Sequence, residues 1–351
     1  MNETTPRSQG SGAPLRFGIL GAARIAPMAL IQPAKRVAEA SVVAVAARDG
    51  AKARAFAQKH GVPHVHDSYD ALLADPDVDA VYVPLPNHLH LEWSVRALEA
   101  GKHVLCEKPL CLTAADVVTL QAARDRSGRH VEEAFSYRNH PQWAKIDELL
   151  ASGAIGAPLA VQCTMAKQFF DPNDIRNNPD LGGGALYDLG SYTISACTAV
   201  FRRAPVRVIA ALDRDPVFRI DRLSTALLDY GDRHASLTVS SQGGPSGWGS
   251  HQQFSVLGAN GWLRCDFPFA HGRPSPCHVY VGDHGSVGNR ETASYAFDPV
   301  NQYTLQVERF SRYLRGEPAP CWPIEDSLVT LRIIEALFAS AQSGRWEGVP
   351  G

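Results

Sequence analysis

Short apolar runs alternate with amphipathic stretches through the first third of the chain. Leu15 to Leu20 (LRFGIL) is apolar and leads into a glycine turn, as a buried strand does. Ser41 to Ala47 (SVVAVAA) is rich in β-branched residues and lacks polar alternation, the pattern of a strand covered on both faces. His64 to His66, Ala80 to Pro84 and His103 to Cys106 predict three more strands. Helices are predicted over Ile25 to Ala38, with Pro27 and Pro33 near its start or interrupting it, and over Gly50 to His60 and Tyr69 to Leu73. Two more are predicted over Leu91 to Ala100 and Ala114 to Arg126. Strand and helix alternating at this spacing predict an α/β domain built on a doubly wound parallel sheet.

The rhythm changes after about Glu133. Leu159 to Met165, Arg207 to Leu212, Leu223 to Asp229, Ala235 to Ser240, Gln253 to Leu257 and Gly261 to Asp266 follow as strands, the later ones with few helices between them. That pattern predicts an α+β domain with an open, mostly antiparallel sheet. A helix from Pro323 or Ile324 to Ala341 closes the chain, with Glu325 and Asp326 at its positive end and Ser343-Gly344 beyond its last turn. The expected organisation is a polar tail at 1–14, a first domain at 15–134 and a second at 135–351.

Composition narrows the function. At about 150 residues per domain, 351 residues agree with two domains. The 34 basic and 36 acidic side chains nearly cancel, which excludes the basic footprint of a nucleic-acid binder. No apolar run approaches the roughly 18 to 20 residues that span a bilayer. The seven cysteines form no C-x-x-C pair, which argues against a disulfide framework or zinc site and for reduced thiols in the cytoplasm. His64 and His66 alternate along a strand without a third ligand, so no metal is expected. The opening MNETTPRSQGSGAP lacks the apolar core of a secretory signal and reads as a disordered tail.

Candidate chemistry begins at the first strand. Gly18-Ile-Leu-Gly21-Ala22-Ala23 is a loosened G-x-G-x-x-G turn opening into a helix, with Arg24 and Ile25 next. Small residues let backbone N–H groups approach a pyrophosphate at the helix N-terminus. The second strand ends at Ala47, where an NAD site usually carries a carboxylate for the ribose 2′-hydroxyl. Arg48 follows at once and Lys52 one helical turn later, so the pattern selects NADP(H): Arg48 can fork onto a 2′-phosphate and Lys52 adds a point charge. Pro84-Leu85-Pro86-Asn87-His88, continuing to His90, follows the fourth strand, and Cys106-Glu107-Lys108-Pro109 follows the fifth. Both belong beyond the carboxyl ends of the strands, where such sheets bind ligands. Pro109 restricts Lys108 to an extended conformation and is a candidate cis residue.

The glycine turn, VYVPLPNHLH, AGKHVLCEKPL and GGGALYDLGSY together resemble the glucose–fructose oxidoreductase/inositol dehydrogenase (Gfo/Idh/MocA) family, over nearly the whole chain after residue 15. EAFSYRNHPQW, DIRNNPDLGGGALYDLGSY and QYTLQVERF resemble its NADP-dependent branch of D-xylose dehydrogenases, dihydrodiol dehydrogenases and aldose oxidoreductases. The resemblance implies a Rossmann domain whose cofactor residues include Pro84, Leu85, Asn87, His90, Glu107 and Lys108 beside the glycine turn. It also implies a helical pair four residues apart in the second domain, here Asp188 and Tyr192, placed on one face by the i, i+4 spacing. Tyr192 departs from the histidine of the inositol dehydrogenase pattern and matches the aldose-oxidising branch.

The implied chemistry has Tyr192 take the proton of the anomeric hydroxyl while hydride leaves the anomeric carbon for NADP+, with Lys108 beside them. Free tyrosine has a pKa of about 10, so a nearby cation is what would make it a useful base at neutral pH. Tyr137, Arg138 and His140 are expected at the cleft where the second domain begins. Gln168, Arg176, Asp188 and Tyr303 are expected around the sugar, and Trp248 in SQGGPSGWGS is a candidate aromatic platform. A homodimer through the open sheet is the expected assembly. The alternatives are an aldose–aldose oxidoreductase that retains NADP(H), a dihydrodiol dehydrogenase or ketosugar reductase, and a non-catalytic NADP-dependent sugar sensor.

Overall fold

The computed structural model describes residues 12–245, 249–269, 276–285 and 288–351. Trp248 and residues 1–11 of the expected tail lie outside them. The described chain packs as two units. The first comprises residues up to 111, 115–136 and 301–327, and the second comprises 112–114, 137–300 and 328–351.

The first unit holds a six-stranded parallel sheet: β1 (Leu15–Leu20), β2 (Ala40–Ala46), β3 (His64–His66), β4 (Ala80–Val83), β5 (His103–Cys106) and β6 (Val131–Glu133). The spatial order is β3-β2-β1-β4-β5-β6, so chain direction across the sheet reverses between β1 and β4. This is the doubly wound order of the Rossmann fold, and the crevice at such a reversal is where these sheets bind ligands. β4 and β5 are buried along their whole length, which is why they read as continuous apolar runs rather than alternating ones.

Two expectations for this unit change. The helix expected over Ile25 to Ala38 is a π-turn, Pro27–Ile31, followed by a short α-turn, Gln32–Ala34. Pro27 and Pro33 have no N–H to donate, and the widened turn accommodates them through a bond from the Gln32 N–H to the Pro27 carbonyl. The second domain expected over 135–351 also does not pack as one unit, because 301–327 return to the first one. The helix Gln302–Leu314 buries Tyr303, Val307, Phe310 and Leu314 in the cluster that contains Phe17, Ile19, Leu30 and Tyr82. These four residues form one helical face. Asn301 caps the helix by accepting from the N–H groups of Tyr303 and Thr304. Arg309 forks onto Glu132, which is fully buried on β6.

The second unit holds a nine-stranded sheet: β7 (Pro158–Ala166), β8 (Arg207–Arg214), β9 (Asp221–Asp229), β10 (His234–Ser240), β11 (His251–Gly258), β12 (Gly261–Cys265), β13 (Cys277–Gly285), β14 (Gly288–Phe297) and β15 (Glu347–Gly348). Its order is β14-β13-β12-β11-β7-β10-β9-β8-β15, antiparallel throughout except for the β7–β10 pair. β13 and β14 were absent from the sequence expectation, because their polar residues (CHVYVGDHG and GNRETASYAF) break the apolar signal. One face is packed: Val161, Cys163 and Met165 on β7 pair in register with Ala235, Leu237 and Val239 on β10, all buried. The closing helix runs Ile324–Ser343. Among the described residues no disulfide forms, and no helix is long and apolar enough to cross a membrane.

Candidate active site

In the first unit the glycine turn leaves β1 at the reversal point. Gly21 has φ of +106° and donates its N–H to the Ala46 carbonyl at 2.7 Å; a Cβ there would lie 3.0 Å from the Leu85 side chain. Only glycine meets both conditions without strain. Ala22, Ala23 and Ile25 are half-buried, and Arg24 is exposed.

At the end of β2, Ala47 is buried while Arg48 and Lys52 are exposed. Asp49 caps the following helix, accepting from the N–H groups of Ala51 and Lys52 at 2.9 and 3.1 Å. The helix N-terminus is therefore already served by a carboxylate, and an anion arriving here meets the Arg48 and Lys52 side chains instead. Tyr69 adds a group that sequence reasoning missed. Its hydroxyl lies beside the Gly21 position and interacts with the Arg48 backbone, and burial raises its pKa.

Beyond β5, Lys108 is half-buried and the Lys108–Pro109 peptide is cis. Three contacts hold the segment around it. The Tyr82 hydroxyl, on fully buried β4, donates to the Glu107 carboxylate. A ring nitrogen of His90 meets the Pro109 carbonyl at 2.7 Å, and the Leu110 N–H donates to Glu133 at 2.9 Å. Glu133 also accepts from the Ser327 hydroxyl at 2.5 Å. Burial pushes the Tyr82 phenol well up, and the neighbouring Glu107 carboxylate adds to the shift, so Tyr82 stays a donor.

His90 is not available to a cofactor. Its side chain is fully buried, and its second nitrogen meets the Leu85 carbonyl at 2.8 Å. It ties the Pro84-Leu85-Pro86 turn to Pro109, and burial lowers its pKa. The ring of Tyr303, expected around the sugar, packs in the core cluster of the first unit. Asn87 is half-buried and His88 exposed at the start of the helix after β4.

In the second unit, Asp188 and Tyr192 lie on a continuous helical segment that begins as a π-turn, Leu186–Gly190, and continues as Ser191–Phe201. Both are buried, at 7% and 5% exposure. Arg176 joins Asp188 through Nε at 3.0 Å and Asp174 through a terminal nitrogen at 3.1 Å, with its guanidinium 4.8 Å from the Phe169 ring centre. The Asp188 carboxylate, with Asp174, raises the Arg176 pKa further, so this group stays cationic. Two of the expected sugar residues are thus brought together as an ion pair. Gln168 is half-buried.

Tyr137 is a packing residue rather than a sugar ligand: it is 1% exposed and its hydroxyl bonds to Ser195 at 2.7 Å. Arg138 donates to the same Ser195 oxygen at 2.8 Å. The rings of Tyr137 and Phe269 stand 5.7 and 5.3 Å from that of Tyr192, so the Tyr192 ring is fixed by aromatic packing. His140 caps the helix Pro141–Ala151 by accepting from the Gln142 N–H at 3.3 Å, and desolvation lowers its pKa to about 4.

Comparison with known proteins agrees with this architecture. Residues 15–135 match the model described as an oxidoreductase family with an NAD-binding Rossmann fold, and residues 143–264 match the GFO/IDH/MocA C-terminal domain. The chain belongs to the Gfo/Idh/MocA family of oxidoreductases. Within the family it is 42% identical to an uncharacterized oxidoreductase, ORF334, of Rhizobium meliloti, covering 95% of this chain and 99% of that one. It is 34% identical to a D-xylose 1-dehydrogenase (NADP(+)) of Haloferax volcanii, covering 94% and 98%. Among solved family structures, the 3-ketoreductase KijD10 of Actinomadura kijaniata, in complex with NADP and TDP-benzene, superposes with a TM-score of 0.83 at 28% identity over 93% of this chain and 98% of that one. The aldose–aldose oxidoreductase of Caulobacter crescentus, complexed with glycerol, gives 0.83 at 26% identity over 95% and 99%.

Proposed function

We propose that this protein is an NADP(H)-dependent oxidoreductase that oxidises the anomeric carbon of an aldose of the xylose or glucose type to an aldonolactone. The observation that carries the reading is the Lys108 segment, held by Tyr82, His90 and Glu133 beyond the carboxyl ends of the parallel strands. Three contacts on one turn keep a cation where the fold places its ligand, and positioning of this kind supplies a large part of catalysis. The xylose dehydrogenase and aldose–aldose oxidoreductase relatives support the substrate class.

The residues fit the cofactor. Gly21 leaves room at the turn, and Arg48 and Lys52 present two cations after β2 with Ala47 where a ribose-binding carboxylate would otherwise stand. NADP+, when bound, supplies the hydride acceptor. Tyr192, as the phenolate, takes the hydroxyl proton at its oxygen and becomes the neutral phenol. Lys108 donates to the substrate oxygen and favours its anionic form. Arg176 and Asp188 offer one charged pair to sugar hydroxyls. In the first unit, Pro84, Leu85, Asn87 and Glu107 are the further residues offered to the cofactor.

The outward face of the second sheet exposes Leu223, Leu227 and Leu257, which support a homodimer formed through that face. Light scattering on the purified protein tests this.

The deciding experiment is a panel of aldoses with added NADP+, followed by NADPH absorbance, and of ketosugars and aldonolactones with NADPH. Turnover with an aldose and added NADP+ is expected. Turnover between two sugars without added cofactor would assign the aldose–aldose reaction instead. Reduction of ketosugars alone would overturn the aldose reading, and no turnover on any member would favour the sensor.

A further inference from the structure

We propose that Asp221 is a positioning residue for Tyr192: it anchors the start of the helical segment that carries Asp188 and Tyr192, and so fixes where both side chains stand. The inference rests on the reading of Tyr192 as the proton carrier.

Asp221 opens β9, far in sequence from this helix, and is 2% exposed. Its Oδ2 accepts from the Leu186 N–H at 2.8 Å and from the Ser224 hydroxyl at 3.0 Å. Leu186 is the first residue of the π-turn, and Ala185 before it supplies no side-chain cap. The first N–H groups of a helix need an acceptor from outside it, and Asp221 provides one for this helix.

Gly184 gives a second, independent sign of the same contact. Its φ is +118°, and a Cβ there would fall 2.0 Å from Asp221 Oδ1. The backbone approaches the carboxylate as closely as glycine alone permits. The Gly184 carbonyl then accepts the Asp188 N–H at 3.1 Å, which extends the anchored turn directly to Asp188. The π-turn runs without a break into the helix bearing Tyr192, so a displacement at Leu186 is carried along a rigid element to the phenol. Burial raises the Asp221 carboxyl to about 6, outweighing its hydrogen bonds from Leu186 and Ser224 and the smaller pull of the Arg214 charge. The group is held there at a cost, as a positioning contact is.

The test uses Asp221→Ala and Asp221→Asn in the full-length protein, assayed with the aldose found in the panel. Asp221→Ala removes the acceptor. It is expected to lower kcat by about tenfold to a hundredfold, the effect of a misplacement near 1 Å, with NADPH affinity by fluorescence within about twofold of wild type. Asp221→Asn keeps a carbonyl acceptor of the same size and is expected to recover kcat to within about threefold. A folded Asp221→Ala with wild-type kcat would overturn the proposal, and so would Asp221→Asn as impaired as Asp221→Ala. If Asp221→Ala does not fold, amide exchange over 184–192 in Asp221→Asn carries the test. Exchange as slow as wild type with kcat near wild type is expected, whereas fast exchange with undiminished kcat overturns it. Tyr192→Phe separates the two levels. If Tyr192→Phe turns over normally, the proton-carrier reading fails and this inference falls with it. If Tyr192→Phe is inactive while Asp221→Ala is not, the inference alone fails.

Discussion

The Tyr82 hydroxyl donates to the Glu107 carboxylate, joining the ends of β4 and β5 one residue before Lys108. Tyr82 is fully buried, so its hydroxyl has no water to turn to. Removing it takes a donor from a carboxylate, at about 1.5–3 kcal/mol for a hydrogen bond to a charged group. Tyr82→Phe is expected to lower the melting temperature and to reduce kcat by about tenfold through loosened placement of Lys108. A denaturant melt and steady-state kinetics on the same preparation check both.

Lys108→Ala and Tyr192→Phe remove the proposed chemistry itself. Each is expected to cut kcat by about a hundredfold to ten-thousandfold, the range of a general acid–base group, while NADPH still binds. Near wild-type turnover in either variant would remove that residue from the mechanism.

Cofactor choice turns on two exposed cations. Arg48→Ala/Lys52→Ala is expected to raise KM for NADP+ by about tenfold to a hundredfold and to leave KM for NAD+ nearly unchanged, since a 2′-hydroxyl gains nothing from either charge. Equal losses with both cofactors would point to a structural role.

How far the sequence alone leads differs between the two units. The parallel strands were legible because strands covered on both faces are apolar throughout. The glycine turn, Arg48, Lys52 and Lys108 were legible because they sit at strand ends in a fold with a known ligand edge. What was not legible depends on partners distant in sequence. Nothing local marks Asp221 as the cap of a helix that begins at Leu186, or shows that the buried His90 ring stands between two backbone carbonyls. Tyr137 reads as a binding aromatic because a tyrosine facing a sugar and one facing a core look alike in sequence.

Two buried carboxyl groups give opposite pH dependences. Arg309 holds Glu132 below its ordinary value against the cost of burial, so this pair stabilises the fold above pH ~4.5, and the contribution is lost as pH falls through the lowered folded value. Arg309→Ala is expected to cost about 3–5 kcal/mol by leaving the buried Glu132 carboxylate with the His130 ring as its remaining partner, and Glu132→Gln/Arg309→Met to recover most of it. Urea titrations at neutral pH measure both.

Asp221 works the other way. Burial raises its folded value to about 6, above that of the unfolded chain, so the ionised carboxylate weakens the fold above that pH and the cost fades as pH falls toward ~4. Between pH 8 and pH 5 wild type is expected to gain stability relative to Asp221→Asn by about 1.4 kcal/mol, one pH unit's worth of the shift. Parallel stability curves would place the carboxyl at its ordinary value.

The return of 301–327 to the first unit bears on the order in which the chain folds during synthesis. All six strands of the parallel sheet have left the ribosome once Glu133 has emerged, yet their core then lacks Val307, Phe310 and Leu314, and Glu132 lacks its counter-charge. The nascent domain must wait, with an apolar groove open and Glu132 without its arginine, until the helix ending at Leu314 is made. A fragment cut near residue 134 would keep the glycine turn and Lys108 but stay in that unfinished state, so the cofactor half of this enzyme is not a module that can be lifted out at its sequence boundary.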